Sequence, residues 1–180
     1  MLQAFSYITI LLLMNTPTHT LFDFNKDSDL SLWNIVDDRV MGGISQSFFK
    51  ITDEGHGKFY GYVTTERNGG FSSVDYDFDT IKVSPTSKIK IKLKGDGKTF
   101  QFRAKAFAYD RHNYIKEFDT TGEWQTVEIE LSEMEPSWRG NTLKIANFDK
   151  DQMTRITVLI ANGEKQNFEL LIDSIEIVKS

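Results

Sequence analysis

Residues 88–94 alternate without interruption, with Ile89, Ile91 and Leu93 on one phase and Lys88, Lys90, Lys92 and Lys94 on the other. Successive side chains of a strand point to opposite faces, so this period of two predicts a half-buried strand. Gly95-Asp96-Gly97 then supplies a tight turn. Phe100, Phe102, Ala104 and Ala106 carry the apolar phase onward, with Gln101, Arg103 and Lys105 opposite them. The two segments together predict a hairpin.

The same alternation recurs at Val127, Ile129 and Leu131, with Glu128 and Glu130 facing out. Residues 155–160 read as a nearly continuous apolar strand. Residues 168–178 close the chain with Phe168, Leu170, Ile172, Ile175, Ile177 and Val178, and their change of phase at Asp173-Ser174 predicts a bulge or bend. Weaker strands are expected at 48–52, 58–65, 70–78 and 114–118. No segment sustains a helical period. Many short strands at regular spacing predict an all-β antiparallel sandwich or barrel, and a chain of 180 residues favours a jelly-roll β-sandwich over a smaller immunoglobulin-like domain.

Composition agrees with a folded domain. Hydrophobic residues are 39% and charged residues 26%, while aromatics reach 13% with phenylalanine dominant, which suits strands with large inward-facing side chains. The net charge of -5 argues against nucleic acid as a partner, because phosphate binding needs a basic surplus on one face. There is no cysteine, which excludes thiol nucleophiles, Cys-ligated zinc, iron–sulfur clusters and disulfides within the chain.

The first 20 residues carry no charged side chain except His19 and contain the apolar run Ile8-Thr9-Ile10-Leu11-Leu12-Leu13-Met14. That run is too short for a transmembrane helix, which needs about 20 apolar residues. It fits the hydrophobic region of a secretory signal peptide. Residues 1–20 are therefore expected to be a signal peptide and 21–180 a single domain. The domain would be periplasmic or secreted if the leader is cleaved and cytoplasmic otherwise. The alternative is an apolar segment packed on the domain.

Several patterns suggest chemistry that their context does not support. Gly95-Asp96-Gly97-Lys98-Thr99 resembles the end of a P-loop, but Lys92 stands where a glycine is required and a strand follows instead of a helix. Asp23, Asn25, Asp27 and Asp29 alternate like calcium ligands. Ser28 replaces the sharp-turn glycine and Asn34 the bidentate glutamate, so a structural turn is the expectation. His56 and His112 lie in loop-like contexts without metal spacing. Asp75, Asp77 and Asp79 share one strand phase, which any solvent-facing strand produces as readily as a paired-carboxylate site. No catalytic residue, metal site or cofactor is expected.

The least generic stretch is Val36-Asp37-Asp38-Arg39-Val40-Met41-Gly42-Gly43-Ile44-Ser45, followed by a second double glycine in Asn68-Gly69-Gly70-Phe71-Ser72-Ser73. Adjacent glycines point to positive φ, a bulge, or close approach by another segment. The aspartates can fix the loop through neighbouring amides.

These segments resemble the complex I intermediate-associated protein 30 family. Leu93-Lys94-Gly95-Asp96-Gly97, Gly122-Glu123-Trp124, Arg139-Gly140 and the ending Phe168-x-Leu170-x-Ile172-Asp173-x-Ile175 follow in the family's order. The resemblance implies a galactose-binding-domain-like jelly roll that is not an enzyme. It also implies a role in assembling respiratory NADH:ubiquinone oxidoreductase, hence a protein partner.

A carbohydrate is the alternative partner, suggested by Tyr60, Tyr62, Tyr114 and above all Trp138, which lies in the longest loop-like stretch. Trp33 and Trp124 are expected in the core. A ligand- or partner-facing site is expected at Asp38, Arg39, Ser45, Asn68, Phe71 and Trp138, residues equally suited to locking two loops together. N-terminal sequencing of the protein from its native compartment should find the chain starting near Leu21; an intact Met1 would set export aside.

Overall fold

The computed structural model describes residues 17–179. Apart from three short 3-10 turns, every element among them is a β-strand. One antiparallel sheet holds β1 (Thr18–Asp23), β3 (Gln46–Ile51), β4 (Gly57–Val63), β6 (Lys88–Lys94), β9 (Trp124–Glu130) and β13 (Gln166–Val178). The other holds β2 (Trp33–Asp37), β5 (Ser72–Lys82), β7 (Thr99–Lys105), β8 (Asn113–Asp119), β10 (Glu135–Trp138), β11 (Asn141–Thr142) and β12 (Gln152–Ile160).

In the six-stranded sheet the order is β3-β4-β13-β6-β9. β13 is its spine. Residues 166–172 pair with β4, and β1 takes 174–178 on the same side. β6 runs along the opposite side, with a register shift between Ile172 and Ser174. That shift is the bulge foreseen from the change of phase, and it lets Ile172 and Ile175 both face the core. The seven-stranded sheet runs β11-β10-β8-β7-β12-β5-β2.

The inner phases of the two sheets meet in a single core. Ile89, Ile91, Leu93, Leu170, Ile172 and Ile175 of one sheet face Val74, Phe100, Phe102, Ile156 and Val158 of the other, all fully or almost fully buried. At one end Phe22, Phe24, Trp33, Phe49 and Tyr76 form an aromatic nest, with Trp33 stacked on Tyr76 at 4.6 Å between centroids.

Three expectations need correction. β6 and β7 do not form a hairpin: β6 lies between β13 and β9, and β7 between β12 and β8. The chain crosses from sheet to sheet at Gly95–Thr99, so the two apolar phases meet across the core instead of side by side. Alternation identifies an inward face but does not select the neighbour. The crossing is pinned where Gly97 N–H donates to Thr120 Oγ1 at 3.0 Å.

Trp124, expected in the core, is 40% exposed. Its register partner is Lys94, and its phase is the outward one of Thr126, Glu128 and Glu130. Trp138, expected in a loop, ends β10, which pairs with β8 and β11.

Most of the expected leader lies outside the described residues, but Thr18–Thr20 open β1 opposite Val178–Glu176. Among the described residues no helix is long and apolar enough to cross a membrane.

Candidate functional site

The two glycine segments converge at one end of the sandwich. After β2 the chain makes a 3-10 turn, Asp38–Met41, and the Asp38 carboxylate turns inward, fully buried. It accepts four hydrogen bonds. Ser45 donates its amide at 3.0 Å and its hydroxyl at 2.5 Å; Gly70 and Phe71 donate theirs at 2.7 and 3.4 Å. Ser45 Oγ in turn accepts from the Thr64 amide at 3.0 Å. The adjacent Asp37 holds Ser47 in the same manner, through amide and hydroxyl at 3.2 and 2.6 Å. Two neighbouring carboxylates thus tie the end of β2 to the start of β3 and to the strand entering β5.

Among the described residues no cation pairs with Asp38. Burial pushes its carboxyl up, but the hydrogen bonds from Ser45, Gly70 and Phe71 outweigh that effect and hold it below the usual carboxylate range.

Each glycine pair supplies one residue for conformation and one for space. Gly42 and Gly70 adopt φ of 93° and 140°. A Cβ on Gly43 would overlap the Asp38 carboxylate, and one on Gly69 would lie 2.5 Å from Asp38 Oδ2 and 2.7 Å from the Thr64 carbonyl oxygen. The lock projects the tip of its turn into solvent, with Val40 73%, Met41 59% and Ile44 43% exposed.

A second arrangement occupies the outer face of the seven-stranded sheet, beside the lock. Register aligns Asn34, Asp75, Thr157, Arg103 and Ile115 in one row across β2, β5, β12, β7 and β8. Asp77, Arg155 and Lys105 form the next row. Arg155 donates to Asp77 through Nε at 2.6 Å and Nη2 at 3.0 Å, and to Asp75 at 3.4 Å. Thr157 Oγ1 donates to Asp75 at 2.8 Å. The Arg103 Nε and Nη2 groups donate to Gln101 Oε1 at 3.2 and 2.7 Å, and Lys105 donates to the Asp110 carbonyl at 3.1 Å.

The face is sunken here. Leu159, on the outward phase beside Ser73 and Gln101, is only 4% exposed. A depression of about 170 Å³ is lined by the apolar Phe71, Val36 and Leu159 and by polar groups that include Asp75, Arg103, Lys105 and Arg155.

Partial burial perturbs the ionisable groups of this face. Burial pushes the Asp75 carboxyl up, against the Thr157 hydroxyl and the Arg155 charge. Burial pushes Arg103 and Lys105 down. Asp75 and Asp77 both accept from the Arg155 guanidinium, which fixes them in place.

The expected site residues divide among four places. Asp38 and Ser45 are buried within the lock and present nothing to solvent. Arg39 and Asn68 are exposed on the turns around it, Asn68 with φ of 60°. Phe71 reaches the depression. Trp138 lies near the opposite edge, beneath the Arg139 guanidinium at 5.0 Å. From β10 to β5 is four ladder steps, roughly 19 Å at ~4.8 Å per step, so Trp138 does not join the others.

Asp75, Arg103, Lys105, Arg155 and Thr157 were not expected as a site. Their signal was opposite charge on the outward phases of several strands, which only the register brings together. His56 is also not a free loop histidine. Its Nδ1 lies 3.0 Å from Asp173, which also pairs with Lys92 at 2.9 Å, and its ring lies 4.7 Å from Trp124. Asn25 and Asp29, read as possible calcium ligands, accept from the amides of Asp27 and Ser31 within the turn.

Two antiparallel sheets closed over one core, without an α-helix among the described residues, define a galactose-binding-like jelly-roll β-sandwich. The fold is shared with the family 11 carbohydrate-binding module of Clostridium thermocellum solved with a β-1,3-1,4-mixed-linked tetrasaccharide. The TM-score is 0.70 at 18% identity, over 91% of this chain and 96% of that one. A second structure of a family 11 module, from a cellulosomal cellulase of the same organism, gives 0.69 at 17% identity, over 92% and 96%. An exo-β-agarase matches with a TM-score of 0.57 at 13% identity, over 90% of this chain and 25% of that one.

The chain belongs to the complex I intermediate-associated protein 30 family, whose model matches residues 22–172. No curated protein matches it.

Two substitutions separate the lock from the outer face. Asp38→Ala leaves several buried donors unmet, at about 1–3 kcal/mol each, and should lower Tm by roughly 6–12 °C for a loss of ~3 kcal/mol in a domain of this size. Because the folded pKa of Asp38 is depressed, its contribution is complete above the ordinary carboxylate range and disappears as pH falls through the folded value. Asp75 has a raised folded pKa, so its ionised form opposes folding at neutral pH. Asp75→Asn should leave Tm at pH 7 unchanged or raised, as differential scanning calorimetry will record.

Proposed function

We propose that this protein is a non-catalytic binding domain that holds a protein partner through the tip of the Asp38 lock. The observation behind this reading is the exposure of Val40, Met41 and Ile44 on a turn whose backbone is fixed from beneath by four hydrogen bonds. Adjacent exposed aliphatic side chains on a rigid turn lose little conformational freedom on docking, which favours association. The family's name associates its members with complex I intermediates, and by that association the partner is a subunit of respiratory NADH:ubiquinone oxidoreductase. A photo-crosslinking residue in place of Met41 should join the protein to such subunits in native membranes, and Met41→Ser should abolish co-recovery without lowering Tm. Recovery unchanged by Met41→Ser would contradict the docking role of this turn.

A second reading is supported by a different observation, the sunken outer face with Phe71 beside fixed polar groups. Sugars are held by apolar faces combined with oriented donors and acceptors, and the family 11 module is described with a bound mixed-linked tetrasaccharide. In this reading the protein is a carbohydrate-binding domain and β5, β12 and β7 form its platform. Titration with soluble glycans, followed by amide chemical shifts, should perturb Phe71, Ser73 and Arg103 together. Shifts confined to other surfaces would count against the platform.

A further inference from the structure

We infer that Arg103 is a carboxylate subsite on the outer face, built to take a uronic-acid unit of an acidic glycan whose ring lies against Phe71. The inference rests on the carbohydrate-binding reading and adds the class of sugar.

Arg103 is oriented before any ligand arrives. Gln101 Nε2 donates to Glu117 Oε1 at 3.0 Å, which turns Gln101 Oε1 toward Arg103 to accept from Nε and Nη2. One oxygen therefore occupies the side edge of the guanidinium. At the end-on edge Nη1 has no hydrogen-bond partner among the described residues, and Nη2 is engaged by Gln101 alone. A neutral amide fixes the direction of this arginine without cancelling its charge, and a planar fork so held matches the two oxygens of a carboxylate.

The surrounding charges are largely committed to one another. Asp75 and Asp77 share Arg155, with the Thr157 hydroxyl also on Asp75. Lys105 faces Asp75, Asp110 and Asp77, and the carboxylate acting on Arg103 is Asp75, which Arg155 and Thr157 already hold. Asp110 accepts from the Phe107 amide, and Glu117 accepts from Gln101. Arg103 is half-buried and poorly solvated, so a bound anion would relieve an existing cost as well as add an attraction.

The remainder of the depression indicates what carries the anion. Its lining includes the apolar Phe71, Val36 and Leu159 together with Asp75, which is held by Arg155, and its volume of about 170 Å³ is below that of pockets for drug-sized ligands. A flat unit with one carboxylate edge and one C–H face fits this division, and a uronic-acid pyranose has both. The outer face is open, so the chain on either side of that unit can continue along the sheet.

The test is calorimetric titration of the full chain with polygalacturonate, with neutral mixed-linked β-glucan, and with a peptide bearing either a free or an amidated C-terminus. Polygalacturonate should bind more tightly than the glucan and weaken as salt is raised. Arg103→Gln should cost about 10- to 100-fold in affinity, the range for losing a charge-assisted pair. Arg103→Lys should not restore it, because an ammonium cannot present the fork. Side-chain nitrogen resonances of Arg103 in the wild-type protein should shift on adding polygalacturonate, a readout that requires no variant to fold.

Equal affinity for uronate and neutral polymers, or retained uronate binding in a folded Arg103→Gln, overturns the inference and leaves the carbohydrate reading standing. Binding of neither polymer overturns both. Arg103-dependent binding of the free-carboxylate peptide without uronate binding overturns it in favour of a protein ligand.

Discussion

The buried Asp38 carboxylate is the constraint on which this end of the molecule depends. It carries a formal charge in the interior and is balanced by four donors instead of a cation. Amides and a hydroxyl do this only when their backbones pass within hydrogen-bond distance at once, which requires both glycine segments. Gly43 and Gly69 allow the approach, and Gly42 and Gly70 turn the backbone so that it can be made. Removing the charge from water is costly, and satisfying it fully recovers that cost only in one arrangement of β2, β3 and β5. The carboxylate therefore specifies geometry at least as much as it stabilises. Its consequences reach solvent on two sides, as the projecting Val40–Met41 tip and as the entry of Phe71 into the outer face.

The outer face follows a different rule. The inner phases of β5, β7 and β12 supply the core. Yet Asp75 and Arg103 are held partly out of water, where each opposes its own ionisation. The same sheet thus joins an apolar inner side that forms the core and a polar outer side whose charges are partly buried.

The strand content was legible in the sequence because alternation reports burial directly. Lys88–Lys94, the bulge at Asp173-Ser174 and the sandwich itself all follow from it. Pairing was not legible. The Gly95–Thr99 turn resembled a hairpin because sequence proximity suggested that β6 and β7 are neighbours, whereas each sheet chose its own order. β2 and β10 are short and, with Pro136 inside β10, carry too little alternation to be recognised alone.

The same limit applies to the site. The glycine segments stood out, and the idea that their residues lock two loops together matches the position of Asp38 and Ser45. The outer-face cluster depends on register across β5, β12 and β7, which residue types do not encode. Trp138 seemed a natural sugar platform by type alone, yet the sheet order separates it from Phe71 by four ladder steps.

Amide hydrogen exchange at Gly70 and Ser45 measures the central constraint directly. Both amides lie outside the sheet ladders and donate to the Asp38 carboxylate. They should exchange as slowly as amides of the central strands at neutral pH, and Asp38→Asn should speed both while leaving β12 protected. Rapid exchange at Gly70 and Ser45 in the wild-type protein would contradict the account, because it would mean that the carboxylate does not hold the two segments together in solution.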